Sequence, residues 1–331
     1  MKRNVKVLIA AVLAMGVLAG CSSKPADPAA TPDTKKAEKQ FVNIGTGGTA
    51  GTYFPLGGAF AEIWNSSIDG INATSQSTGA SVANINLLKD KKIEVAIVQN
   101  DVAWYTEQGK EMFKDGKYAD IRGLVTLYSE PLQIITTDPS IKTIADLKGK
   151  RIAVGAIGSG VEANARQIIA AAGLDFEKDI QAKFLSFSEA SAGLKDKQVD
   201  VAFLTAGIPT AALQDLGAQN DITVIPVDGA IAEKLMKDYK FFTEFTIPAN
   251  TYNGQTEDVQ TLTVRAMLVV NADLDEDLAY NMVKAIYDNQ DRIVAAHNVG
   301  KKITKETALG GMSVTLHPGA AKYFKEEGIT E

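Results

Sequence analysis

The sequence predicts an α/β fold of two lobes, built from two hinge-linked sheets with flanking helices and a cleft between them. Three observations carry this expectation. Apolar, β-branched runs alternate with amphipathic stretches, the pattern of parallel strands joined by crossover helices. That alternation is written twice along the chain, and each copy places a glycine loop after its first strand.

In the first series, strands are expected at Phe41 to Ile44, Ile71 to Ser75 and Val95 to Val98, with helices at Tyr53 to Asn65 and Val82 to Lys89. In the second, strands are expected at Arg151 to Val154, Ala182 to Leu185 and Val199 to Leu204, with helices at Glu162 to Ala172 and Ser188 to Leu194. The series match in detail: Leu88-Lys89-Asp90-Lys91-Lys92-Ile93-Glu94-Val95 runs parallel to Leu194-Lys195-Asp196-Lys197-Gln198-Val199-Asp200-Val201. Each is a charged helix end, a short turn and a buried strand. Ile121 to Thr136 leads from the first lobe into the second and Thr261 to Val270 leads back, so two crossings are expected to make the hinge. Asp275 to Asn289 and Pro318 to Glu327 read as helices packed on the first lobe. The expected division is residues 41–130 and 269–331 for the first lobe and 131–268 for the second.

The 331 residues begin with Lys2, Arg3 and Lys6, an apolar stretch from Val7 to Ala19, and Leu18-Ala19-Gly20-Cys21. That order is a secretory leader, too short for an ordinary membrane span. Small residues before the chain's sole cysteine have the form of a lipobox, so residues 1–20 are expected to be a lipoprotein signal peptide and Cys21 a lipidation site. Residues 21–40, rich in proline and mixed charge, read as a disordered, lipidated tether. Extended at ~3.1 Å per residue, the tether reaches up to ~60 Å from the membrane. Loss of the three basic leader residues takes the net charge from −6 to −9, which argues against nucleic acid as a partner. With one cysteine there is no internal disulfide, so stability rests on the core that a 45% hydrophobic composition can build.

A glycine loop between a strand and a helix points backbone N–H groups, reinforced by the helix dipole, at whatever lies above it, and such loops bind anions. The two loops are Gly45-Thr46-Gly47-Gly48-Thr49-Ala50-Gly51 and Gly155-Ala156-Ile157-Gly158-Ser159-Gly160. Gly45, Gly47 and Ala50 fit the dinucleotide pattern, but the second strand ends Ser75-Gln76-Ser77-Thr78-Gly79, without the carboxylate that would hold a ribose. Other polar residues fall at strand ends, where open α/β sheets bind ligands: Ser77, Thr78 and Ser81, Gln99 and Asn100, and Thr205 with Gly207. Each alone fits a helix cap, the commoner use of such residues; together they mark a site. Tyr53 either closes over an apolar part of the ligand or sits in the core. Glu130, before Pro131, is a candidate anchor for a ligand amine, though a hinge proline with a solvated neighbour is the preferred reading. No catalytic residue, metal site or cofactor is expected. His297 and His317 lack partners at ligand spacing and read as surface or capping residues, and Ser159 lacks the G-x-S-x-G elbow.

These stretches together resemble the TAXI family of solute receptors for TRAP transporters. The residues that carry the resemblance include Ile44-Gly45-Thr46-Gly47-Gly48-Thr49, Thr52-Tyr53-Phe54-Pro55-Leu56-Gly57-Gly58, Thr78-Gly79-Ala80-Ser81, Ala96-Ile97-Val98-Gln99-Asn100-Asp101-Val102, Asp146-Leu147-Lys148-Gly149-Lys150-Arg151, Ala206-Gly207-Ile208-Pro209 and Leu316-His317-Pro318-Gly319-Ala320, spread over nearly all of residues 41 to 328. The resemblance implies a periplasmic-binding-protein fold of type II, a Venus flytrap, that delivers a small carboxylate or amino acid such as glutamate, glutamine or 2-oxoglutarate to TRAP membrane subunits driven by an ion gradient. The chain departs from the family pattern at Ala50, where glycine is common, at Ser129, where proline is common, and at Val161, where threonine is common. Related TRAP receptors hold a carboxylate with an arginine. Here Arg166 falls in a helix and Arg265 in a crossing strand, so backbone amides and hydroxyls are expected to take that role.

The resulting expectation is a monomeric, extracytoplasmic, lipid-anchored binding protein that closes on its ligand. Its contacts are expected from Thr46, Gly47, Gly48, Thr49, Tyr53, Ser77, Thr78, Ser81 and Gln99 on one side and from Ser159, Gly160, Val161, Thr205 and Gly207 on the other. A sensor presenting its ligand-loaded state to a membrane kinase is the alternative, and a hydrolase using Ser159 a third.

Overall fold

The computed structural model describes residues 40–330. The expected leader, Cys21 and all of the tether but its last residue lie outside them. Gln40, assigned to the tether, instead opens the first strand, where its N–H donates to the Gly70 carbonyl.

The first series folds as β1 (Gln40–Gly45), α1 (Tyr53–Ser67), β2 (Ile71–Gln76), α2 (Ser81–Lys89), β3 (Val95–Gln99) and α3 (Asn100–Gln108). The long strand β4 (Ile121–Thr136) then leads into β5 (Arg151–Ala153), α4 (Gly160–Ala171), β6 (Gln181–Lys183), α5 (Phe187–Lys195) and β7 (Val201–Thr205). After α6 (Ala211–Gly217), β8 (Thr223–Ile225), α7 (Gly229–Asp238) and β9 (Thr243–Ile247), the second long strand, β10 (Val259–Asn271), returns to the first half. There α8 (Glu276–Asp288), α9 (Gln290–Ala296) and α10 (Pro318–Glu326) complete the core, and Trp64 of α1 donates its indole N–H to the Met282 carbonyl of α8 at 3.1 Å.

The sheet runs β2-β1-β3-β10-β4-β7-β5-β6, with β8 on β4 and β9 on β10. Its two long members exchange neighbours partway along. β4 pairs antiparallel with β10 from Ile121 to Pro131, then with β7 and β8 from Leu132 onward. β10 pairs with β9 up to Thr263 and with β3 from Ala266. Pro131, which has no N–H for a ladder, stands where β4 changes partners, and the β4–β10 register slips just beyond, between Arg265 and Met267.

The core divides at the same place. The buried members of two apolar clusters come only from the span Leu132 to Val264. Those of the other two come only from outside it, from Val42 to Tyr128 and from Ala266 to Phe324. Two lobes, each with its own core, are thus joined through the middle of two strands and packed into one compact body.

The internal repeat extends to details. Lys91 and Lys197, at matching positions after α2 and α5, both take left-handed backbone with φ of 54°. Glu94 and Asp200 each accept the N–H of a residue in the first strand of their series, Asn43 and Arg151, and each returns its own N–H to that residue's carbonyl.

Candidate functional site

Five helices begin at one cleft. Residues at or just before the starts of α1, α2, α3, α4 and α5 line it, so the partial positive charge of five helix dipoles converges there. Thr52 before α1 and Ala80 before α2 make no side-chain cap, which leaves those first-turn N–H groups to other acceptors. Part of that need is met across the lobes, since the Gly158 carbonyl of the second glycine loop accepts from both Val82 and Ala83 of α2 at 3.1 Å.

The cavity measures about 80 Å³ and would hold roughly half a dozen waters or one small metabolite. Gly47, Gly48, Tyr53, Thr78, Ser81 and Gln99 line it from the first lobe, and Ser159, Gly160, Val161 and Thr205 from the second. Four other residues expected at the site do not reach it. Thr46 is fully buried and spends its hydroxyl on the Gln76 carbonyl at 2.7 Å. The Ser77 hydroxyl holds the Gly47 carbonyl at 2.9 Å, so both residues brace the first glycine loop from behind. Thr49 is exposed. Gly207 packs on the opposite lobe, where a Cβ would come within 2.7 Å of Val299 and 3.0 Å of Tyr128.

Several lining residues lie outside the expected set: Gly51, Thr52, Gly79 and Ala80 beside the first loop, Ala156 in the second, Ser186 and Phe187 at the start of α5, and Ala206; Glu130, weighed as an amine anchor but preferred as solvated, lines the cavity too. The repeat carried a signal for two of them, because α2 and α5 are equivalent and Ala80-Ser81 corresponds to Ser186-Phe187. Glu130 overturns the solvated reading of that position: it is 1% exposed and faces the cavity. Tyr53 donates its hydroxyl to Glu130 Oε2 at 2.8 Å, and the Tyr128 hydroxyl lies 3.5 Å from Oε1. Burial pushes the Glu130 carboxyl well above the usual carboxylate range, against the pull of those two hydroxyls. The same burial raises both tyrosines. Thr52 Oγ1 is also buried at the cavity and has no hydrogen-bond partner. Among the lining residues none is lysine, arginine or histidine.

A polar latch shuts the lobes beside this space. Asn164 of α4 donates to Asp101 Oδ2 at 2.9 Å, and its Oδ1 accepts from Gln99 at 2.7 Å and Thr205 at 3.1 Å. Gln167, one turn on, donates to the Tyr105 hydroxyl at 3.0 Å. Gly160 lets the loop approach: a Cβ there would lie 1.4 Å from Gln99 Oε1. Asp101 is buried, and desolvation lifts its pKa to about 6 despite the hydrogen bonds from Asn164 and the Val102 N–H. At the rim, Trp104 meets Phe241 of the second lobe with ring centroids 5.4 Å apart, and the Ala212 N–H donates to the Ala50 carbonyl at 3.3 Å. The conformation is therefore closed.

The remaining candidates have structural work. Ser159 Oγ accepts from the Glu162 N–H as the N-cap of α4. His297 and His317 cap the turns that follow them; His317 is buried rather than at the surface, with burial lowering its pKa. Among the described residues no helix is long and apolar enough to cross a membrane.

Residues 44–328 match the NMT1-like family. Solved structures are similar in fold at low identity. A putative L-cystine ABC transporter protein from Listeria monocytogenes is 14% identical, with a TM-score of 0.52 over 81% of this chain and 99% of that one. A protein from Bordetella bronchiseptica RB50 is 18% identical, with a TM-score of 0.51 over 88% and 90%. The periplasmic aliphatic sulphonate binding protein SsuA from Escherichia coli is 15% identical, with a TM-score of 0.46 over 86% and 83%. The first two carry the same two-lobed α/β fold, that of type II periplasmic binding proteins.

Proposed function

This chain belongs to the NMT1-like family, and from that premise we propose that it is an extracytoplasmic solute-binding protein of a transporter, with no catalytic role. The observation that carries the reading is the cavity between the two glycine loops, ringed by five helix N-termini and flanked by the Asn164 latch. Such a site suits a small anion held by backbone amides. Ser159 serves as a helix cap, which supports binding rather than turnover.

The lobes of this reading are residues 41–130 with 269–331, and 131–268, hinged where β4 and β10 change partners. The ligand class is a small carboxylate or an amino acid, glutamate, glutamine or 2-oxoglutarate among them. The resemblance of the sequence to TAXI receptors makes TRAP-type membrane subunits the partner. The lipobox makes Cys21 the point of attachment to the membrane. A ligand stabilises the closed state only by as much as it prefers that state to the open one, and closure creates the face that the transporter meets.

The test is a thermal-shift panel of small carboxylates and the twenty amino acids. A ligand that binds only the native state at 100 times its Kd adds about 2.7 kcal/mol, a shift of several degrees. A flat response across the panel contradicts the reading. Mass spectrometry of the membrane-extracted protein checks the anchor, with a diacylglyceryl group expected on Cys21 and none on a Cys21→Ser variant.

A further inference from the structure

The cavity is bipolar, and its second pole has no role in binding an anion. Glycine-loop amides and helix N-termini make one part of the wall positive. Glu130, the one ionisable carboxyl on the wall, makes another part acidic, and no cation among the lining residues answers it. The Tyr53 hydroxyl donates to Glu130 Oε2 at 2.8 Å, which fixes that oxygen as an acceptor, while the Tyr128 hydroxyl lies 3.5 Å from Oε1, at the limit of hydrogen-bond distance. Thr52 Oγ1, buried beside the Tyr128 hydroxyl, adds another atom that can accept at the same wall. A buried acceptor left without a donor costs about 1–3 kcal/mol, and more when charged.

We propose that the ligand is an amino acid bound as its zwitterion, its ammonium group donating to Glu130 and Thr52 and its carboxylate lying against the glycine-loop amides. This rests on the solute-binding reading above and narrows its ligand class. An ammonium brings three N–H donors and a positive charge to a wall that offers acceptors and a carboxyl. A 2-oxo acid brings only acceptor oxygens to the same place: it can take the O–H of Thr52 or of a protonated Glu130, but it supplies no charge to answer an ionised one. Desolvation of the empty site favours a neutral Glu130; an ammonium ligand reverses this by supplying the counter-charge.

Calorimetric titration of the purified protein with the twenty amino acids, and then with the 2-oxo acid of the tightest one, tests this; for L-glutamate the matched probe is 2-oxoglutarate. The amino acid is expected to bind at least about tenfold tighter than its 2-oxo acid, the lower end for a charge-assisted hydrogen bond. Glu130→Gln should weaken the amino acid by about 10- to 100-fold and bring the pair of ligands to similar affinity, and Thr52→Val should weaken it a few-fold. A 2-oxo acid that binds wild type as tightly as the amino acid overturns the proposal, as does a Glu130→Gln variant that keeps the preference. If that variant does not fold, the wild-type ratio decides alone. A wild type that binds none of these compounds removes the solute-binding reading itself and this inference with it; binding without amine preference removes only the inference.

Discussion

The two lobes are built alike and equipped differently. Each has a glycine loop leading into a helix, a helix and strand of matching length, and a lysine with φ of 54° in the turn between them. At the cavity the likeness ends. The first lobe contributes the buried ionisable groups, Asp101, Glu130, Tyr53 and Tyr128, while the second answers with neutral amides and hydroxyls from Asn164, Gln167, Ser159 and Thr205. The lesson is a division of labour: the ionisable groups stand on one side, and the other side meets them with groups that carry no net charge.

The sharpest way to break this picture is at the closest approach of the lobes. Gly160→Ala places a methyl group where Gln99 Oε1 now sits, and Gln99 cannot yield without leaving Asn164. Ligand affinity should fall by about 100-fold or more, as overpacking and loss of a buried hydrogen bond combine. The melting temperature of the unliganded protein should barely change, since alanine suits a first helical turn. Calorimetry and thermal melts separate these effects. Next comes Asn164→Ala, which removes both of its bonds across the lobes, to Asp101 and from Gln99, together with the Thr205 bond within the second lobe. It should weaken ligand by about 10- to 100-fold, read by calorimetry, and an unchanged affinity would mean that the latch is incidental to closure.

Much of this was legible in sequence, and the exceptions share a cause. The strands, helices and crossings follow from hydrophobic periodicity and turn residues, both local properties; the span Ile121 to Thr136, read only as a crossing, is a single strand. The glycine loops were legible because only backbone geometry was at issue. Thr46 and Ser77 brace the first glycine loop, a use that sequence does not separate from ligand contact, because a hydroxyl at a strand end looks the same in either role and only the fold shows which carbonyl it bonds. Glu130 was read as solvated because acids in short sequence context usually are. Its burial comes from Tyr53, 77 residues away, and from the way two long strands pack across the hinge. Asn164 and Gln167 gave no signal, being polar residues inside an otherwise ordinary helix.

Smaller effects sharpen the comparison. Because the folded pKa of Asp101 is raised from 3.8 to about 6, the folded state binds more protons than the unfolded between those values. Its favourable contribution is therefore present below about pH 4 and lost as pH rises through about 6, by on the order of 3 kcal/mol. Glu130, also raised, acts in the same direction. Asp101→Asn should thus reduce the fall in melting temperature between pH 4 and 6, and a slope unchanged from wild type would contradict the burial argument. Smallest of all, Lys91→Gly and Lys197→Gly each relieve a left-handed turn and should stabilise by about 0.5 kcal/mol in denaturant unfolding. The exposed Lys91–Asp273 pair adds little to that difference. Opposite signs at the two sites would break the equivalence of the lobes.

The account stands or falls on closure about the strand-exchange points at Pro131 and Ala266. Small-angle X-ray scattering of the protein, without ligand and then saturated with whichever acid raises its melting temperature most, tests this directly. The expected result is a smaller radius of gyration with ligand, and no such change for Gly160→Ala. Binding that leaves the wild-type scattering curve unaltered would contradict it.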